Sequence, residues 1–188
     1  AYERVQDPRK PFSQIEVEII SRDGEKIRRL TKNLDLNVSN FMWYSNQKLL
    51  LEVNQGMNNH LFSVTSEGQT TPLSGGAAYF YRSSASASSP TIAAVRQTAT
   101  SLDEIMISKG VGHPWNQLSS ISSALDGLEI NPQTAFRWQS RDERFNLQGL
   151  VVLPHFSGNE PLPLIVDIHG GPAGRTDIAL EQGSMYQA

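Results

Sequence analysis

The chain contains no cysteine among its 188 residues, which excludes a disulfide, a thiolate metal site and a cysteine nucleophile. It also lacks a dominant charge. Sixteen Lys and Arg stand against 19 Asp and Glu, a net charge of −3. The basic residues are scattered, and their densest group, Lys26, Arg28 and Arg29, reads as the wet face of a strand. Nothing here marks a nucleic-acid or anionic-membrane partner. No apolar run approaches the roughly 18 residues of a membrane-crossing helix. His60, His113 and His155 fall on hairpins or turns without metal-ligand spacing, so neither a metal nor another cofactor is expected. Because the chain begins with Ala1, the lack of a leader segment leaves the compartment open.

What is present is a repeat. Gln14 to Ser21 alternates as a strand, turns at Asp23-Gly24 and returns as Lys26 to Thr31. His60 to Thr65 turns at Glu67-Gly68 and returns as Thr70 to Ser74. Asp103 to Ser108 turns at Lys109-Gly110 and returns near Trp115 to Ser119. The endings Leu30-Thr31, Leu73-Ser74 and Leu118-Ser119 are 43 and 45 residues apart. Two further strands precede the later hairpins: Phe41 to Tyr44 with Lys48 to Val53, then Tyr79 to Tyr81 with Thr91 to Arg96. The serine-rich residues 83–89 read as a loop between the last pair, and residues 1–13 as a polar linker. Four short strands per unit of about 40–45 residues is the size of one β-propeller blade. The alternative is an antiparallel sandwich. Trp43, Trp115 and Trp138 are expected to pack between strands.

After Ser119 the repeat stops. Residues 120–134 read as a loop with turn signals at Asp126-Gly127 and Asn131-Pro132. A hairpin then pairs Phe136 to Ser140 with Leu147 to Pro154, and a second turn covers His155 to Glu160. The next stretch, Leu162 to Pro172, organises the rest. Leu164, Ile165, Val166 and Ile168 predict a strand buried on both faces, ended at once by Gly170, Gly171 and Pro172. Such an ending is where α/β enzymes bring backbone N–H groups close to a substrate. Asp167 then sits in an apolar strand without an assigned role. The fold class expected is mainly β: the last blades of a β-propeller over 1–134, followed by the first strands of an α/β-hydrolase domain over 135–188.

The order of blades, Trp138-x-Ser140-x-Asp142, an apolar strand ending Leu153-Pro154, and Pro163 leading to His169-Gly170-Gly171-Pro172 resembles the prolyl oligopeptidase family of serine peptidases. Its acylaminoacyl-peptidase and dipeptidyl-peptidase branches are the most similar. Gly149 carries part of the likeness. Glu143 departs from it, because family members place glycine there. The resemblance implies hydrolysis of short peptides, with the propeller restricting access. No serine has glycine two residues away on both sides, so the chain holds no G-x-S-x-G elbow. The Ser, Asp and His of a triad would follow the HGGP strand and lie beyond Ala188. What the resemblance places here is half of an oxyanion hole, with a backbone donor at Gly171, or at Gly170 or Ala173; Pro172 has no N–H to give. His169 is expected to hydrogen-bond the loop. The chain alone is expected to be inactive, its partners being a short peptide substrate and the remainder of its own polypeptide. A propeller-bearing carboxylesterase and a non-catalytic propeller binding module are the alternatives.

Overall fold

The computed structural model describes residues 1–10, 13–86, 88–131, 133–155, 161–171 and 174–180. Strands dominate. Strands β1 (Tyr2–Val5), β2 (Ile15–Ile20) and β3 (Ile27–Arg29) form one antiparallel sheet. Strands β4 (Asn37–Ser45), β5 (Lys48–Gln55), β6 (Asn58–Thr65) and β7 (Thr70–Pro72) pair each with the next, as do β8 (Tyr79–Ala85), β9 (Ile92–Thr98), β10 (Ser101–Ser108) and β11 (Asn116–Gln117). Along the backbone, the ladder between the two four-stranded units is one parallel pair, Asn59 with Tyr79. A 3-10 turn, Ile121–Leu125, leads to the hairpin of β12 (Gln133–Gln139) and β13 (Asn146–Val152).

The sequence repeat is a repeat of hydrogen bonds. Val17, Leu61 and Ile105 occupy equivalent places on β2, β6 and β10. Their N–H groups donate to Thr31 Oγ1, Ser74 Oγ and Ser119 Oγ at 2.9, 2.8 and 2.8 Å. Their carbonyls accept from the N–H of Leu30, Leu73 and Leu118 at 2.9, 2.8 and 2.8 Å. A hydroxyl after the leucine thus holds the end of each unit against the strand before it, and at Val17 it pairs an N–H that would otherwise be left unpaired in the core. The turns Asp23-Gly24, Glu67-Gly68 and Lys109-Gly110 recur with it, their glycines at φ +79, +89 and +88. At Gly68 a Cβ would also meet the Leu30 carbonyl at 3.3 Å, so glycine meets two demands there.

Side-chain alternation explains why the units stack. On β5, Leu49, Leu51 and Val53 enter a core with Val17, Leu30, Val38 and Val64, whereas Leu50 joins Leu61, Phe80, Ile92, Ala94 and Met106. The middle sheet is therefore buried on both faces between the other two, as a propeller blade is. Each fully buried leucine contributes about 1.5–3 kcal/mol by leaving water. Among the described residues the sheets do not close into a ring. The chain is mainly β, built of successive propeller blades.

Several expectations need correction. Residues 2–5, read as linker, form β1, because Arg4 pairs with Glu16 and Glu18 at 3.1 and 3.2 Å. Ser83 to Ala85, read as loop, continue β8, because Ser83 donates both its N–H and its hydroxyl to the buried Glu52 carboxylate, each at 2.7 Å. The largest correction concerns Leu164–Ile168. It forms no strand, and Leu164, Ile165, Val166 and Ile168 are 86%, 80%, 70% and 83% exposed. No described strand lies beside it, so its backbone has no ladder to join. Pro132 and residues 156–160 of the expected turns lie outside the described residues.

Candidate functional site

Gly170 and Gly171 lie on the surface, and Gly171 takes φ +130, a conformation that favours glycine. Neither the burial nor the strand expected to present them is there. His169 Nδ1 lies 3.2 Å from the Gly170 carbonyl oxygen, the local loop contact expected of it. Gly174 returns close to the same carbonyl: a Cβ at Gly174 would come within 2.2 Å of the Gly170 oxygen. Pro172 and Ala173 lie outside the described residues. Leading toward this loop, the β12–β13 hairpin forms as expected. Its Ser140–Asp142 turn closes with Glu143, at φ +59, donating its N–H to the Ser140 carbonyl at 2.8 Å. Glu143 thus takes a left-handed backbone that glycine adopts most readily.

Beyond the glycines the chain returns to the blades. Arg175 Nη1 donates to the carbonyls of Gly56 and Asn58 at 2.9 and 3.1 Å, and Nη2 lies 2.5 Å from Asp177 Oδ1. The guanidinium also stands 5.7 Å from the Tyr79 ring centroid. Ile178 donates its N–H to the Met57 carbonyl at 2.8 Å, and Ile178, Ala179 and Leu180 are buried. Burial raises the Asp177 carboxyl above its ordinary value, although the Arg175 charge works against that. Burial, then the Asp177 charge, raises the Tyr79 phenol. Nothing in residue spacing linked position 175 to positions 56–58, so sequence reasoning missed this contact. Its signal was faint: a lone cation shortly after a glycine pair.

The β5–β6 turn borders a second feature. A cleft of about 410 Å³ lies between it and the hairpin, lined by Gln55, Gly56, Asn58, His60, Arg137, Asn146, Leu147 and Gln148. Burial holds the His60 imidazole below its usual value, favouring the neutral ring. With no carboxylate among the described residues of its wall, the cleft offers amides, one imidazole and one guanidinium, a lining suited to neutral or anionic polar groups. Among the described residues no group of His, Asp and Glu is placed to hold a metal ion. Of the tryptophans, Trp115 is a packing residue: it lies 5.3 Å from Phe80 between ring centroids and donates Nε1–H to the Leu73 carbonyl at 2.7 Å. Trp138 stacks on Phe136 at the surface, and Trp43 is 45% exposed.

No family model matches the chain, and no curated protein matches it. Solved structures do. An acylaminoacyl peptidase in complex with Z-Gly-Gly-Phe-chloromethyl ketone matches 91% of this chain at 20% identity and a TM-score of 0.73. The uncomplexed Pyrococcus horikoshii acylaminoacyl peptidase matches 91% at 20% identity and a TM-score of 0.71. The β-propeller domain of the Trilobed protease from Pyrococcus furiosus matches 64% at 16% identity and a TM-score of 0.51, with 35% of that domain's chain covered. The likeness is one of fold. The chain spans about 27% of the length of the two acylaminoacyl peptidases.

Proposed function

We propose that this chain is the junction between the propeller and the catalytic domain of a serine peptidase of the prolyl oligopeptidase family, acting on short peptides in the acylaminoacyl- or dipeptidyl-peptidase manner. The observation that carries the reading is the succession of propeller blades, hairpin and HGGP in the order of that family, on a fold shared with two acylaminoacyl peptidases. The exposed run Leu164–Ile168 becomes a buried strand when neighbouring strands of an α/β-hydrolase sheet flank it. The backbone N–H of Gly171, or of Gly170, then helps hold the oxyanion formed when a serine attacks the scissile carbonyl. An oxyanion donor of this kind is worth about 2.7–4 kcal/mol of transition-state stabilisation. The polar cleft beside the β5–β6 turn gives a peptide backbone neutral donors and acceptors on the way in. Ser, Asp and His of the triad come from sequence outside this chain.

The test is turnover of aminoacyl-anilides and simple esters by the full-length protein, with labelling by a fluorophosphonate. Anilide cleavage together with labelling supports the reading. Ester cleavage alone points to a carboxylesterase instead. If neither substrate is cleaved and nothing labels, the peptidase reading fails.

A further inference from the structure

We infer that Arg175 is a positioning residue, one that ties the glycine loop to the propeller so that the geometry of the oxyanion donor depends on a blade turn. The inference rests on the peptidase reading above. Three contacts carry it. First, Gly174 approaches the Gly170 carbonyl so tightly that no side chain fits at residue 174. Residue 174 therefore cannot move toward residue 170 without displacing it. Second, the next residue, Arg175, spans the β5–β6 turn by donating to the carbonyls of Gly56 and Asn58. Those carbonyls flank Met57, whose own carbonyl accepts from Ile178, so the turn is gripped from side chain and backbone together. Third, the guanidinium is itself constrained, by Asp177 on one side and the Tyr79 ring on the other. A planar cation held by a carboxylate and an aromatic face loses little further freedom in binding two carbonyls.

The turn is itself a rigid anchor. Gly56 takes φ +61, and a Cβ there would meet the Gln148 side chain at 2.9 Å, so the hairpin presses on the same turn from outside. Blade, hairpin and glycine loop thus converge on residues 56–58. In this arrangement Arg175 touches neither substrate nor oxyanion; it acts through the loop.

The experiment uses the full-length protein with Arg175→Met, Arg175→Lys and Tyr79→Leu, read by steady-state kinetics and by amide hydrogen exchange at Ile178, whose N–H is buried and bonded to the Met57 carbonyl. Arg175→Met is expected to speed exchange there and to lower kcat by about 10- to 100-fold, with KM within about twofold, since small misplacement of a preorganised donor is costly. Arg175→Lys restores part of kcat, and Tyr79→Leu shifts kcat less in the same direction while keeping the loop sequence intact. Unchanged exchange in Arg175→Met overturns the inference. So does faster exchange with unchanged kcat, or a loss confined to KM. A wild-type protein that neither turns over nor takes fluorophosphonate sinks the peptidase reading instead, and the exchange data alone then decide whether the clasp exists.

Discussion

Two aliphatic stretches of this chain meet opposite fates. Leu49, Leu50 and Leu51 are wholly buried, whereas Leu164, Ile165 and Val166 are 86%, 80% and 70% exposed. Composition does not separate them. What separates them is company: β5 has β4 on one side, β6 on the other, and a sheet against each face. The later stretch has none of these among the described residues. A strand is a relation between neighbours, because an extended segment that cannot complete its hydrogen-bond ladder keeps its backbone in water.

The largest expected effect sits on that contrast. Leu50→Ala should cost about 2–5 kcal/mol of stability, measured as a shift in the urea unfolding midpoint. Ile165→Ala should change the stability of this chain by less than about 0.5 kcal/mol, as exposed substitutions do. In the full-length protein the same Ile165→Ala should become as costly as a core deletion. A large loss in this chain would break the comparison, and a negligible one in the full-length protein would deny the segment its buried place.

A second effect tests what joins the blades. Ser83→Ala removes the hydroxyl donor from the buried Glu52 carboxylate, a charged hydrogen bond worth about 1.5–3 kcal/mol. The loss should appear in unfolding measurements as clearly as a core deletion of one or two methylenes. Thr31→Val should follow closely, at about 1–3 kcal/mol, because it leaves the Val17 N–H without its partner inside the core. Ser74→Ala breaks the equivalent bond at Leu61. If these hydroxyls proved dispensable, the repeat of Leu-Ser/Thr endings would be a coincidence of sequence rather than the device that closes each unit.

The same contrast explains what could be read in advance. The blades were legible because their signals are local: alternation along β2, β6 and β10, glycine turns after each, and a hydroxyl at each unit's end. β1 escaped because its pairing rests on Arg4 meeting Glu16 and Glu18, a long-range ionic match that a run of polar residues does not announce. The strand at Ser83 escaped for a similar reason, since a distant Glu52 decides it. HGGP was legible as a motif, and so was the bend its glycines impose. Its attachment to the blades was not, because Arg175 reaches a turn more than a hundred residues away through backbone carbonyls that carry no side-chain signature.

The smallest effects are those of pH, and they divide the blades again. Glu104 is held down to about 2 from an ordinary 4.5, by the Ser119 hydroxyl first and then by the Ser122 N–H, with burial opposing them. A carboxylate whose folded value lies below its unfolded one adds stability that is complete above the unfolded value. That stability drains away as pH falls through the folded value. The Glu104 contribution should therefore disappear between about 4.5 and about 2. His60 acts in a different window. Burial depresses its imidazole, so its contribution is complete above 6.5 and begins to be lost below it. Thermal unfolding across this range should show two slopes. Glu104→Gln should flatten only the acid one, and Ser119→Ala should narrow it. His60→Gln should flatten only the upper one. If Glu104→Gln leaves the acid slope unchanged, the carboxylate is not what fastens the last blade to the turn at Ile121–Leu125, and the equivalence of the three unit endings stops at their hydroxyls.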